Sequence, residues 1–368
     1  MKIETIFEFV RFSIDDNARF TSFDDLDWDE LYEFSKKQTI IGVLLAGIGK
    51  LPKEHMPEKK LLLKWYMQSE RIKEKNEDIN ADAVKIYELF RKDGFRGCVL
   101  KGQGIACLYP DPFARIAGDI DIWIDAGRKQ IAAYVNGICP GQKQRMIHID
   151  FPVLKGREVE VHYTPSYMYA PWANRKLQRW FKANAAEQFT HMVTLPGCDR
   201  AICVPTLRFN RIFILSHIYK HLFSEGIGLR QLMDYYYVLK QGFTEQENKR
   251  DRATLRHLDM YKFAGAVMYV LQTVFGLEDK YHIVEPDEKA GAFLLSEIMQ
   301  SGNFGFYDER FGSLENETVG HRYFRITRRN LHFVTSYPSE ALCEPFLRTG
   351  LFFWRLVHKE FNLSECET

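Results

Sequence analysis

Along the chain, apolar and polar positions change their spacing twice. Up to about residue 93 the period is helical. The segment "DDLDWDELYEFSKKQ" opens on aspartates suited to an N-cap and first turn. It then sets Trp28, Leu31, Tyr32 and Phe34 at roughly helical spacing. The segment "EKKLLLKWYMQSERIKEKNEDINADAVKIYELFRKDG" carries almost no breaker and predicts one long helix, or two, ending at Gly94. The pattern then shortens. "FRGCVLKG" reads as a strand closed by glycine, and "QGIACLY" as one or two helical turns stopped by Pro110 and Pro112. "DIDIWI" is the next strand and "RKQIAAYVNGI" a helix. "RMIHIDFPV" and "REVEVHY" predict two further strands, paired as a hairpin around Lys155 and Gly156. From about residue 205 the helical period returns in "PTLRFNRIFILSHIYKHLFSEG" and "LRQLMDYYYVLKQG", and further helices follow to the end. No internal repeat or low-complexity segment interrupts this order. The expectation is an α+β fold: a helical region over 1–93, a mixed α/β core over 94–204 and a helical region over 205–368.

Within that core, "GDIDIWID" breaks its own rule. Strand residues two apart share a face, so Asp119 and Asp121 stand side by side, away from Ile120, Ile122 and Ile124. Two like charges in an apolar run are expensive to bury unless a positive group sits between them. A metal ion meets that need.

Composition narrows the reading only a little. The chain has 368 residues, 46% hydrophobic and 27% charged, as a soluble globular protein has, and a formal net charge of +1, which demands no nucleic acid. Seven cysteines are scattered without metal-binding spacing, which fits reduced thiols and a cytoplasmic protein. "MKIETIFEFVRFSIDD" lacks the apolar stretch of a signal peptide, and "IIGVLLAGIG" is too short to span a bilayer, so no membrane partner is expected.

Three features of the core belong together. Gly102 and Gly104 form a glycine turn after a strand, where backbone N–H groups can approach phosphate. Asp119 and Asp121 are the second feature. The third is Glu160, an acid between Val159 and Val161 in a later strand. Three carboxylates with a phosphate-binding turn suit Mg²⁺, or Mn²⁺, in phosphoryl or nucleotidyl transfer. Each feature also has a plainer reading. Glu160 can serve a salt bridge on a half-exposed strand, His162 reads as a packed or hydrogen-bonded histidine, and Asp150 as a surface strand residue. His217 and His221, four apart, read as core or substrate-facing residues. Arg230 and Asp234, also four apart, read first as an intrahelical ion pair. Arg322, Arg325, Arg328 and Arg329 form a basic stripe with Tyr323 and Phe324 interleaved, read first as a solvated face. "SGNFGFYDERFG" is a glycine- and aromatic-rich loop that caps a helix or borders a substrate surface.

The ordered set Leu100-Lys101-Gly102, Tyr109-Pro110, Arg115, Asp119-Ile120-Asp121 and Glu160-Val161-His162 resembles the uncharacterised nucleotidyltransferase family of the polymerase-β-like superfamily. The flanks "DELYEFSKKQTIIGVLLAGI" and "LRQLMDYYYVL" are similar too, so the resemblance spans most of residues 26–240. It implies a nucleotidyltransferase-type mixed sheet and transfer of a nucleoside monophosphate from an NTP to an acceptor hydroxyl. The acceptor is a small molecule, a protein or an RNA. Asp119, Asp121 and Glu160 would be the metal ligands and catalytic acids, and Lys101, Gly102, Gln103, Arg115 and Arg230 the nucleotide- and phosphate-binding residues. Two departures stand out: Gln103 follows Gly102 where the superfamily usually has serine, and the third acid is Glu rather than Asp. The alternatives are an inactive binding module of the same fold, or a nucleic-acid-binding protein using the basic C-terminal helix.

Overall fold

Four α-helices precede the first strand: α1 (Ile3–Ile14), α2 (Trp28–Lys37), α3 (Ile41–Gly49) and α4 (Lys59–Lys92). The structure is a computed structural model that describes residues 1–308, 310, 311 and 318–357. Asp27 caps α2, its carboxylate accepting the Glu30 N–H at 2.9 Å. The breaker-free stretch folds as one helix of 34 residues, not two. Trp65, Ile79, Ala83, Ile86 and Phe90 form its buried stripe. It stops where the sequence indicates. Gly94 takes φ 84°, and the Phe95 N–H donates back to the Phe90 carbonyl at 2.9 Å.

The core follows as β1 (Gly97–Leu100), α5 (Gly102–Ala106), β2 (Ile120–Ile124), α6 (Arg128–Ile138), β3 (His148–Asp150) and β4 (Val159–His162). The strands lie in the order β1-β2-β4-β3. β1 runs antiparallel to β2, β2 parallel to β4, and β3 antiparallel to β4, so the predicted hairpin forms with shorter strands. The register lines up Val99, Ile122, Val161 and Ile149 on one face. That face is buried toward α4 and α6, where Phe90 and Tyr134 meet the Phe151 ring at the end of β3. Asp121, Trp123, Glu160 and His162 therefore occupy the opposite face.

Residues 171–203 hold elements that the hydrophobic pattern did not single out: α7 (Pro171–Ala183), α8 (Ala185–Gln188), β5 (Met192–Thr194) and β6 (Ala201–Cys203). β5 and β6 are three residues each, too short for a two-residue alternation to show, and Met192 points outward.

Seven helices complete the described chain: α9 (Leu207–Ser224), α10 (Leu229–Lys240), α11 (Glu245–His257), α12 (Tyr261–Phe275), α13 (Glu288–Ser301), α14 (Val319–Phe333) and α15 (Pro338–Val357). Helices from the two ends of the chain interlock. Arg11 Nη1 donates to the Thr273 carbonyl at 2.8 Å; Gln38 Nε2 donates to the Ile298 carbonyl at 3.1 Å and Gln38 Oε1 accepts the Leu229 N–H at 2.9 Å. One hydrophobic cluster runs through both sets of helices and the sheet, giving a mixed α+β architecture. Among the described residues, no helix is long and apolar enough to cross a membrane.

Glu340 of α15 caps the start of α7. Its carboxylate accepts the Tyr169 N–H at 2.6 Å and the Ala170 N–H at 3.1 Å. Burial pushes this acid up to about 7, although both N–H groups pull the other way. The folded chain therefore holds a proton at pH values where the unfolded chain, titrating near 4.5, has lost it. Stability falls as pH rises through this window and is level above it, by at most about 3 kcal/mol. Urea unfolding at pH 5 and pH 7.5 should show a smaller fall for Glu340→Gln than for wild type; equal falls would refute the assignment.

Candidate active site

Asp119 stands one residue ahead of β2, and Asp121 is the second residue within it. The parallel register pairs Asp121 with Glu160 across the β2–β4 seam. The three acids therefore meet on one face, each offering an oxygen, with all three oxygens within 4.8 Å of one another. Lys101 is beside them. It holds φ 52° and ψ −133°, a conformation that side chains rarely adopt. This sharp turn brings Nζ to 2.7 Å from Asp121 Oδ2. From the other side, His162 Nε2 lies 2.7 Å from Asp121 Oδ1 and 3.2 Å from Glu160 Oε2.

The acids differ in their electrostatics. Burial pushes the Asp121 carboxyl up, but the Lys101 ammonium and the His162 imidazole outweigh it and hold that acid well below the carboxylate range. Asp119 is raised, by the charge on Asp121 first and by burial second. Burial would raise Glu160 as well, but its bond to His162 leaves it lowered. His162 is lowered by burial and raised more strongly by Asp121 and Glu160, to about 9. The expectation of a hydrogen-bonded histidine at 162 matches this placement.

The turn after β1 divides its residues. Lys101 and Gly102 line a cavity of about 1080 Å³ with the three acids. A Cβ at Gly102 would meet no atom within 4 Å, so its backbone is open to a ligand. Gly104 serves packing instead, since a Cβ there would stand 3.0 Å from the Val204 side chain. Gln103 is only 2% exposed and does not line the cavity; α5 turns it into the fold, away from where phosphate was expected.

Arg115 lines the cavity, but its guanidinium is committed. Nε lies 2.7 Å from Asp234 Oδ1 and Nη2 2.8 Å from Asp234 Oδ2, and the Tyr109 hydroxyl donates to Oδ1 at 2.7 Å. Asp234 thus pairs with Arg115 rather than with Arg230 on its own helix, which corrects the expected intrahelical pair. Arg230 instead faces the cavity, 5.8 Å from the Phe304 ring.

The same cavity has a basic wall that contains His217, His221 and Lys220 of α9, Arg230 of α10 and Arg322 of α14. Lys220 is lowered by burial and then by the Lys101 charge, and Arg230 by burial and then by Arg115. Burial likewise lowers His217 well below the usual range and His221 to about 4, so both rings are neutral near pH 7. The wall holds more positive charge than its own acids offset, a setting that favours a bound anion. The basic stripe on α14 splits: Arg322 and Arg325 line the cavity, Arg328 is exposed and Arg329 is only 2% exposed. The four arginines do not make one solvated surface. In the aromatic loop, Phe304 and Phe306 line the cavity, while Glu309 and Gly312 lie outside the described residues.

Sequence reasoning missed His148, whose Nδ1 is 3.1 Å from Glu160 Oε2. The signal was its alternation with Asp150 in "HID". Asp150 itself is partly exposed, 3.0 Å from Arg145 Nη2, as a surface strand residue would be.

The acid triad, the strained turn at Lys101 and a set of basic side chains thus border one cavity. The chain belongs to the uncharacterised nucleotidyltransferase family, whose model matches residues 24–276. Among solved structures, it is similar to an antigenic nucleotidyltransferase-like protein from Paracoccidioides brasiliensis, at 12% identity and a TM-score of 0.32, over 55% of this chain and 93% of that one. No curated protein matches it.

Proposed function

We propose that the chain moves a nucleoside monophosphate from an NTP to an acceptor hydroxyl, releasing pyrophosphate, in a reaction that depends on Mg²⁺ or Mn²⁺. One observation carries this reading: Asp119, Asp121 and Glu160 bring oxygens within 4.8 Å of one another in a cavity that Lys220 and Arg230 also line. A donor set made only of oxygens fits a hard divalent cation that keeps waters and phosphate oxygens as its other ligands. Asp119, Asp121 and Glu160 would hold it. When bound, the ion neutralises charge developing on the transferred phosphoryl group and eases ionisation of the attacking hydroxyl.

The chain's own residues do the rest. Lys101 balances Asp121 from 2.7 Å and is within reach of a phosphate beside the acids. The open backbone at Gly102 admits the β- and γ-phosphates, and Arg230 and Lys220, which line the same cavity, meet their oxygens. Glu160 is the acid nearer the acceptor and helps to remove its proton. Arg115 acts by position, fixing the segment that leads into Asp119 through its clamp on Asp234. Gln103, being buried, acts through the shape of the turn. Residues 94–204 would form the transfer core, flanked in the chain by α1–α4 and α9–α15. The acceptor is a small molecule, a protein side chain or an RNA end. The six described cysteines are all unpaired thiols, which supports a cytoplasmic setting.

The test is incubation of the chain with each α-labelled NTP, Mg²⁺ and cell extract. Label should move to one class of acceptor and should not move when the metal is chelated. A nucleotide that raises the melting temperature equally with and without Mg²⁺, with no label transferred, would instead support the inactive binding module.

A further inference from the structure

Glu160 faces two groups of ligands. Besides the two aspartates, its Oε2 stands 3.1 Å from His148 Nδ1 and 3.2 Å from His162 Nε2. His148, Glu160 and His162 each offer one ligand atom, with all three atoms within 4.8 Å of one another. The fold brings them together by register: β3 sets His148 opposite His162, and Glu160 shares the His162 face two residues earlier.

The outward nitrogen of His162 has a hydrogen-bond acceptor, whereas both ring nitrogens of His148 are buried without a hydrogen bond. His162 Nδ1 is 3.3 Å from the Thr164 carbonyl, and His148 Nε2 is 3.4 Å from Asp150 Oδ1. A carbonyl partner of the kind His162 has orients histidines that bind metals through their other nitrogen. The inward nitrogens, His148 Nδ1 and His162 Nε2, both stand beside Glu160 Oε2, and His148 Nδ1 is buried without a hydrogen bond, so the three atoms can share one cation. The 3.1 and 3.2 Å separations are close to the ligand–ligand edge of about 3.3 Å around a tetrahedral ion with bonds near 2.0 Å. Two imidazoles and one carboxylate suit Zn²⁺ and its neighbours; Mg²⁺ prefers oxygen alone.

We propose that His148, His162 and Glu160 bind one transition-metal ion of the Zn²⁺ class, beside the carboxylate triad and joined to it through Glu160. Asp121 Oδ1, 2.7 Å from His162 Nε2, is a fourth donor within reach, and the ion takes the place of the proton those two share. The cavity runs past His148 and Glu160, so ion and exchangeable ligands can enter from it. The inference does not rest on nucleotidyl transfer, because it needs only these side chains.

The test uses the full chain stripped with a chelator. Zn²⁺ is titrated by calorimetry in excess Mg²⁺, and Co²⁺ serves as an optical probe for low-coordinate nitrogen and oxygen ligation. One equivalent of Zn²⁺ should bind despite the Mg²⁺, and Co²⁺ should give visible d–d bands that Zn²⁺ abolishes. His148→Ala should lose both signals, and Asp119→Asn, outside the set, should keep both. Asp150→Ala, which removes the carboxylate beside His148 Nε2 along with its ion pair to Arg145, should weaken Zn²⁺ binding about 10–100-fold. No Zn²⁺ uptake in excess Mg²⁺, or uptake that survives His148→Ala, overturns the proposal. Uptake lost in Asp119→Asn but kept in His148→Ala places the ion in the triad and overturns it as well. Should His148→Ala not fold, Asp150→Ala on its partly exposed side chain decides, an unchanged affinity being the contrary result. Failure to find an NTP reaction leaves every one of these outcomes readable.

Discussion

Asp119→Asn is expected to abolish nucleotidyl transfer while leaving the fold at least as stable as wild type. The two effects have one cause. The Asp119 carboxyl is raised because Asp121 repels its charge and burial strips its water, so in the metal-free chain the ionised form is a burden. Asparagine keeps the shape and drops the charge. It also removes one of three oxygens that would hold a divalent ion within reach of the phosphates. An ion in such a site supplies several kcal/mol of charge stabilisation to the transition state, so its loss should lower kcat on the order of 10³-fold or more. Unfolding midpoints in chelator should be unchanged or higher, and Mg²⁺ should stabilise wild type more than the variant. Activity within tenfold of wild type, with the fold intact, would remove Asp119 from the metal group and take the proposed mechanism with it. A variant that loses activity and stability together would point to a structural role instead. The combination of lower activity and undiminished stability marks strain held for function.

The sequence made the acids legible because they violate a local rule. Asp119 and Asp121 interrupt a strand of isoleucines, and Glu160 interrupts a pair of valines; each is visible within six residues. The register that brings them together was not legible. Asp121 meets Glu160 only because β2 and β4 pair in parallel, with α6 and β3 between them in the chain. Gln103 shows the same limit from the other direction. A glycine turn can be read from composition, but which of its side chains faces the cavity depends on how α5 seats against its neighbours, where Gly104 touches Val204. His148 was passed over because an isolated His-Ile-Asp says nothing of the strand beside it. The arginines of α14 read as one stripe, yet Arg329 is drawn inward beside the tight backbone at Gly226 and Gly305. Local pattern determined which residues were chemically odd; tertiary pairing determined which of them share a site.

Asp234→Ala should cost about 3–5 kcal/mol of stability, the largest loss expected from any single side chain near the site. A pairing rule limited to neighbours would assign Asp234 to Arg230, four residues away on α10, and such exposed pairs contribute only about 0.3–0.5 kcal/mol. The observed partner is Arg115, 119 positions away, held through two nitrogens at 2.7 and 2.8 Å with both side chains buried. A bidentate pair out of water outweighs the local option because two short charge-assisted bonds are made where water cannot screen them, and for each group the partner is the strongest opposing charge. Burial would raise the Asp234 carboxyl, but the Arg115 charge holds it below the usual range. Alanine would leave the guanidinium buried without an acid, in the field of Arg230. The clamp also anchors the entry to Asp119. Asn76 Nδ2 donates to the Phe113 carbonyl at 2.9 Å and the Arg115 carbonyl at 2.7 Å, so the segment is pinned through both backbone and side chain. A compensated variant, Arg115→Met with Asp234→Leu, should recover most of the lost stability, since the desolvation of two charges goes with the pair. It should recover little activity, because nothing then fixes the approach to Asp119. The pH sign follows from a lowered acid: the pair's contribution is present above the unfolded aspartate value, about 3.9, and is lost as pH falls through the lower folded value. Acid unfolding should therefore set in at higher pH for Asp234→Ala than for wild type. Chemical denaturation at neutral pH measures the main effect, and a loss under 1 kcal/mol would show that Arg115 finds another partner and that the clamp is not what positions Asp119.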